Sequence, residues 1–270
     1  MTNNTVPNVL RRGSTRAALL GAAALSLVVL AGCTGTAAPG SASSSASSSD
    51  HSVLWLGDST AVSEAPALKA AFDAAGVSFE SGAADGGGAV VDPGPPMSEL
   101  VQGVWPTLQK SIAESGADTV MWQVTMYDWG TPEQQVEGMQ KLADEVEKAG
   151  ADLVIVSAPP IGDEMYLENS ASTATIGSSA QSVADASGGT VAYLDASALW
   201  GTDPAGDKAL RSGDMTHNCQ QGAAAFAKWL TTEYAALPSG VPAAPVESWG
   251  TGSWTADPEF AKWDCPAAGA

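Results

Sequence analysis

The sequence predicts an α/β/α three-layer sandwich on a parallel sheet of about five strands. Two observations predict it. Short β-branched or apolar runs alternate with helix-length segments whose apolar residues recur at helical spacing. Residues of reactive type, Asp58-Ser59, Tyr127-Asp128 and Asp195, stand at or just after the ends of those runs. Open parallel sheets bind their ligands at the carboxyl ends of the strands.

The first strand is expected over 52–56, an apolar run that ends at Gly57. A helix follows, with Val62, Leu68 and Phe72 inward and Gly76 as its stop. Val77 to Glu80 reads as the second strand and runs into a glycine-rich loop, Ser81 to Gly88. The third strand is expected over 119–124. The chain from Pro132 to Ala149 carries Val136, Met139, Leu142 and Val146 on one face and stops at Gly150. Further along come a strand over 152–157, a helix over 173–186, a strand over 190–195 and a helix over 220–236 with Phe226 and Leu230 inward. The domain thus spans 51–238. Residues 239–270, rich in Pro, Gly and Trp, read as an irregular tail packed on it.

Residues 1–32 read as an address. Arg11, Arg12 and Arg16 form a basic front, and Ala17 to Leu30 is apolar but short for a bilayer span. The run ends Leu30-Ala31-Gly32-Cys33, which resembles the lipobox of bacterial lipoproteins. The resemblance implies lipidation of Cys33 and a body held outside the cytoplasm on the outer face of the cell membrane. Residues 33–50, almost all Ser, Ala, Gly, Thr and Pro, cannot bury a core and form a flexible tether. With Cys33 lipidated, Cys219 and Cys265 remain, and two cysteines in an exported domain most simply form one disulfide.

Three of the 11 basic residues lie in the leader, which leaves eight against 30 acidic ones, a net charge of −22. Such a surface repels nucleic acid and anionic headgroups. The acid is spread along the chain, as a soluble surface requires.

The chain has two histidines, and His217 alone lies well inside the expected domain. One histidine and two cysteines cannot supply a usual metal cluster, so no metal or organic cofactor is implied. Imidazole is the usual activator of a hydroxyl nucleophile near neutral pH. Ser59 lies at a strand-to-helix turn, where free backbone N–H groups can face a developing oxyanion. Its bland reading is a helix cap. Asp214, three residues before His217, can hold the imidazole in one tautomer.

Gly57-Asp58-Ser59 and Asp214-Met215-Thr216-His217 together resemble the first and last blocks of the SGNH hydrolases, or GDSL-type esterases. The resemblance covers about 52–237 and implies a flavodoxin-like sandwich. It also implies Ser59 as nucleophile, His217 as base and Asp214 as its partner. The oxyanion hole is then formed by the N–H groups of Ser59 and Gly86, with Gly87 and Gly88 as alternatives to Gly86. In the third block, usually Gly-x-Asn-Asp, this chain has Thr125-Met126-Tyr127-Asp128. Tyr127 thus stands where the oxyanion-binding Asn is expected. His217-Asn218-Cys219 and Trp263-Asp264-Cys265-Pro266 are similar to features of actinobacterial envelope members.

This resemblance implies an enzyme acting on acyl esters, with envelope polysaccharide as the implied partner; a monomer is expected, though no residue pattern sets the oligomeric state. Two other readings use the same residues: an O-acyltransferase on envelope polysaccharide, and a non-catalytic glycan-binding lipoprotein. Of the nine tryptophans, Trp129 and Trp200 follow strand ends, where a ring can stack on a sugar or line an acyl pocket. Trp249, Trp254 and Trp263 are expected to staple the tail to the body.

Overall fold

The computed structural model describes residues 51–162, 164–207 and 210–267. The expected leader, lipidated Cys33 and tether lie outside the described residues.

The sheet has five strands: β1 (Ser52–Leu56), β2 (Ser78–Ser81), β3 (Thr119–Gln123), β4 (Asp152–Val156) and β5 (Val191–Leu194). All neighbours are parallel, in the order β2-β1-β3-β4-β5. This is the flavodoxin-like order, whose switch point lies between β1 and β3. The strands match expectation within one residue at each end, the usual spread of such boundaries.

Because side chains alternate along a strand, the sheet has two apolar faces. Val53, Trp55, Met121 and Val154 point to α1 (Ser59–Ala74) and α8 (Gln220–Tyr234), where Leu68, Phe72, Phe226 and Leu230 meet them. Leu54, Leu56, Trp122 and Ile155 point to the other layer. That layer is α2 (Ser98–Ser115), α3 (Pro132–Ala149) and α6 (Ile176–Ala186).

Helix α3 has the expected limits, and its ends explain why. Thr131 and Gln134 form a reciprocal capping box, Pro132 takes the first turn, and Gly150 closes the helix at φ 83°. The helix expected over 173–186 is shorter. Short helices α4 (Glu164–Glu168) and α5 (Ser170–Thr173) precede it. The Thr175 hydroxyl donates to Gln135 Oε1 at 2.9 Å, which anchors the break before α6 to α3. Another short helix, α7 (Ser197–Trp200), follows β5. Unanticipated from the sequence is α2, although Val101, Trp105, Leu108 and Ile112 do bury at helical spacing. Gly103 and Pro106 obscure that pattern.

The tail forms short 3₁₀ turns at Val246–Ser248, Ser253–Ala256 and Pro258–Trp263. Trp249 and Phe260 bury against the α1/α8 layer. Cys219 and Cys265 form the expected disulfide, closing a loop of 46 residues. A closure of that length stabilises a fold by about 4 kcal/mol, chiefly by restricting the unfolded chain. Reduction is therefore expected to lower the unfolding free energy by about that amount. Urea titration with and without reductant measures it, and a Cys219→Ser, Cys265→Ser variant should show no further loss. An unchanged midpoint would show that the bridge is not structural.

Candidate active site

The turn that carries Ser59 begins where β1 ends. A Cβ on Gly57 would lie 2.6 Å from the Ala61 Cβ, so only glycine lets the chain turn so tightly into α1. Asp58 caps the helix, its Oδ1 accepting the Thr60 N–H at 2.9 Å. The cap leaves the N–H of Ser59, at the first helical position, without an intrahelical partner. Asp58 Oδ2 accepts the Met126 N–H at 3.1 Å, which ties this turn to the loop after β3. Burial pushes the Asp58 carboxyl up, against the pull of those N–H groups.

His217 comes from a loop before α8. Arg211 and Asn218 form an antiparallel bridge, and the Ser212 N–H donates to the His217 carbonyl at 2.8 Å. The loop tip is Gly213 to Thr216, with Met215 in the left-handed region at φ 56°. Asp214 Oδ1 accepts from the Ser212 hydroxyl at 2.5 Å and from the N–H groups of Thr216 at 2.9 Å and His217 at 3.0 Å. Its Oδ2 lies 2.7 Å from His217 Nδ1. His217 Nε2 lies 2.8 Å from Ser59 Oγ. With Nδ1–H donating to the carboxylate, Nε2 accepts from the serine hydroxyl. Burial pushes Asp214 up, but the hydrogen bonds from Ser212, His217 and Thr216 outweigh it and hold the carboxyl at about 2.

Behind this loop lies a buried polar network that the sequence did not reveal. Glu64 accepts from Gln123 Nε2 at 2.7 Å and from Asn218 Nδ2 at 2.6 Å. The Asn218 side-chain carbonyl accepts from Arg211, whose guanidinium lies 4.7 Å from the Trp200 ring centre. Ser63 Oγ accepts the Asn218 N–H at 3.1 Å. Glu64 and Ser63 sit one turn beyond Ser59, so α1 both carries Ser59 and holds Asn218, the residue next to His217. Burial pushes Glu64 up to about 8 against the pull of Arg211, and pulls Arg211 down to about 10. The signal in the sequence was Glu64 itself, a charge set between Ala61 and Leu68 on the apolar side of α1.

The two middle loops are joined by Asp128. Its carboxylate accepts the N–H groups of Val90 at 2.8 Å, Val91 at 3.2 Å and Thr125 at 2.9 Å. Burial still pushes it up to about 6. Among the glycines, Gly87 packs against the Ser59 turn, where a Cβ would lie 2.7 Å from the Gly57 carbonyl oxygen. Its N–H is already given to the Ala84 carbonyl at 2.7 Å. Gly86 is exposed, and its N–H has no hydrogen bond among the described residues. The half-buried Tyr127 ring packs toward the α2/α3/α6 layer and tilts against Trp129, ring centres 6.3 Å apart.

Packing is the first expectation for any single tryptophan, and the buried Trp200 and Trp249 meet it. Trp200 is a core residue, buried and stacked on Phe226 at 5.7 Å, because the short helix α7 turns it inward. Trp263, expected only to staple the tail, instead stacks on His217 with ring centres 3.4 Å apart. No sequence signal marks that contact beyond the nearness of Cys265.

No family model and no curated protein matches the chain. Solved structures do. An inhibitor-bound aryl esterase of M. smegmatis matches with a TM-score of 0.54 at 15% identity, over 69% of this chain and 99% of that one. A carbohydrate acetylesterase family member from Sinorhizobium meliloti gives 0.48 at 16% identity, over 69% and 98%. The fold is thus that of a solved aryl esterase, and it is the sandwich expected from the SGNH resemblance.

The buried carboxyls set a pH dependence. Glu64 and Asp128 bind protons more tightly folded than unfolded, so their contribution weakens as pH rises from about 4 to about 8. Asp214 acts oppositely: its contribution is present above its unfolded value of 3.8 and is lost as pH falls toward about 2. Stability is expected to be greatest at about pH 4 and to decline toward pH 8. Denaturant midpoints across that range measure it. Glu64→Gln should flatten the upper part of the curve, and an unaltered slope would contradict the assignment.

Proposed function

We propose that the protein is a serine ester hydrolase of the SGNH type. The observation that carries this reading is the Asp214–His217–Ser59 chain, with contacts of 2.7 and 2.8 Å. Ser59 Oγ attacks the acyl carbon while His217 Nε2 takes its proton. The carboxylate of Asp214 stabilises the imidazolium. The tetrahedral oxyanion is received by the N–H groups of Ser59 and Gly86, with the Tyr127 hydroxyl in the place of the usual Asn. Collapse expels the alcohol, protonated by His217. Water then attacks the acyl-serine, with His217 again taking and returning the proton. No step calls on a metal or an organic cofactor.

The substrate class in this reading is an acyl ester of a cell-envelope glycan. It is supported by the resemblance of the Asn218-Cys219 and Trp263-Asp264-Cys265-Pro266 segments to envelope members of the family. The same reading puts the body outside the cytoplasm, anchored through a lipid on Cys33. Leu30-Ala31-Gly32-Cys33 after a basic, apolar leader supports it.

Wild-type protein is expected to react with a fluorophosphonate probe and to hydrolyse p-nitrophenyl acetate. Ser59→Ala should abolish labelling and lower turnover by about 10⁴-fold or more. Equal rates for the two proteins would end the serine mechanism. For the anchor, cells given labelled palmitate should transfer label to the wild-type chain and none to Cys33→Ala, which should appear in the medium. A labelled Cys33→Ala chain would refute lipidation at that residue.

A further inference from the structure

The triad accounts for both nitrogens of His217 but not for what covers its face. The Trp263 indole lies on the imidazole with ring centres 3.4 Å apart and planes 9° from parallel. Two neutral aromatic rings avoid a face-to-face sandwich, because their quadrupoles repel. A cation over the face of an indole is attracted by the same quadrupole. The stack therefore suits imidazolium better than imidazole. Imidazolium is the species present once Ser59 has passed its proton to Nε2. A contact that strengthens on the way to the transition state accelerates the step.

Trp263 is also held in place on several sides. Cys265, two residues on, is bridged to Cys219, two residues after His217. The Gln220 side-chain amide donates to the carbonyls of Thr255 at 3.1 Å and Pro266 at 2.9 Å. Phe260 is buried in the core. Lys262 pairs with Glu259 at 2.8 Å and with Asp85 at 3.1 Å, beside Gly86. The indole N–H is buried with no hydrogen bond among the described residues. The other charges acting on His217 are Asp214 in its own loop and Asp58 in the nucleophile turn. Neither occupies the ring face.

We propose that Trp263 is a positioning residue of this site, fixing the plane of His217 and favouring the imidazolium formed during acylation. The C-terminal strap is then part of the active site, latched to it by the Cys219–Cys265 bridge. The proposal rests on the reading of Ser59 as the nucleophile.

The test is the second-order rate of Ser59 phosphonylation by a fluorophosphonate, with Ser59→Ala as blank. Trp263→Leu is expected to slow labelling about thirtyfold, the size of a desolvated cation–π contact. Trp263→Tyr should recover most of that loss. Mono-, di- and trifluorotryptophan placed at position 263 alone keep the shape while draining the π face, and the rate should fall with each fluorine. Melting curves confirm that each variant is folded. Should Trp263→Leu fail to fold, the fluorinated series decides by itself. Rates insensitive to fluorination, in a protein whose Ser59 is labelled, would overturn the proposal and leave the hydrolase reading standing. No labelling of wild-type Ser59 would overturn both.

Discussion

At the switch point between β1 and β3, the Asp58 carboxylate accepts one N–H from its own helix and one from Met126 in the next loop. The sheet order makes those two loops neighbours, and the carboxylate fixes their spacing. Through the cap it sets the direction in which α1 leaves the sheet. Ser59 is the first residue of that helix, and Ser63 and Glu64 follow one turn on. Ser59 and the support for His217 thus share one rigid element. Ser59 reaches His217 across 158 positions of chain because α1 presents Ser59 to the ring and Ser63 and Glu64 to Asn218.

A carboxylate placed under a site in this way carries a cost. Burial raises Asp58, Glu64 and Asp128 alike, so each is a poorer anion than it would be in water. What offsets the cost differs among them. Asp58 and Asp128 collect backbone N–H groups that would otherwise be left unpaired in loops, and an unpaired buried donor costs about 1–3 kcal/mol. Glu64 collects two side-chain amides and faces Arg211. Breaking one member of such a buried group is more damaging than never having built it. The arrangement serves position more than stability. It holds Asn218 on both sides, and His217 is the next residue.

The parts legible in the sequence were those encoded over short distances. Gly57-Asp58-Ser59 is a strand end, a cap and a helix start in three residues. Asp214 and His217 belong to one loop, so their pairing needs only local geometry. Helix α3 carries its own cap and stop. What could not be read depends on contacts between distant segments. Glu64 meets Gln123 and Asn218 across 59 and 154 positions of chain, and nothing local marks Trp263 as a partner of His217. Helix α2 lies between these cases: its apolar spacing was present, but Pro106 and Gly103 argue locally against a helix that packing against α3 and the sheet maintains.

The third block shows how the two kinds of constraint separate. Asp128 binds three N–H groups from two loops, and no other side chain at that position would satisfy all three. Its place in the block follows from backbone accounting alone. Position 127 has no such duty, because the Tyr127 ring packs to the side and its backbone N–H is met by the Thr125 hydroxyl at 3.2 Å. The loop can therefore keep its shape while the side chain at position 127 changes. An oxyanion donor is worth about 10²–10³ in turnover. On the His217 side the constraint comes instead from the tail, which sets Trp263 flat against the imidazole.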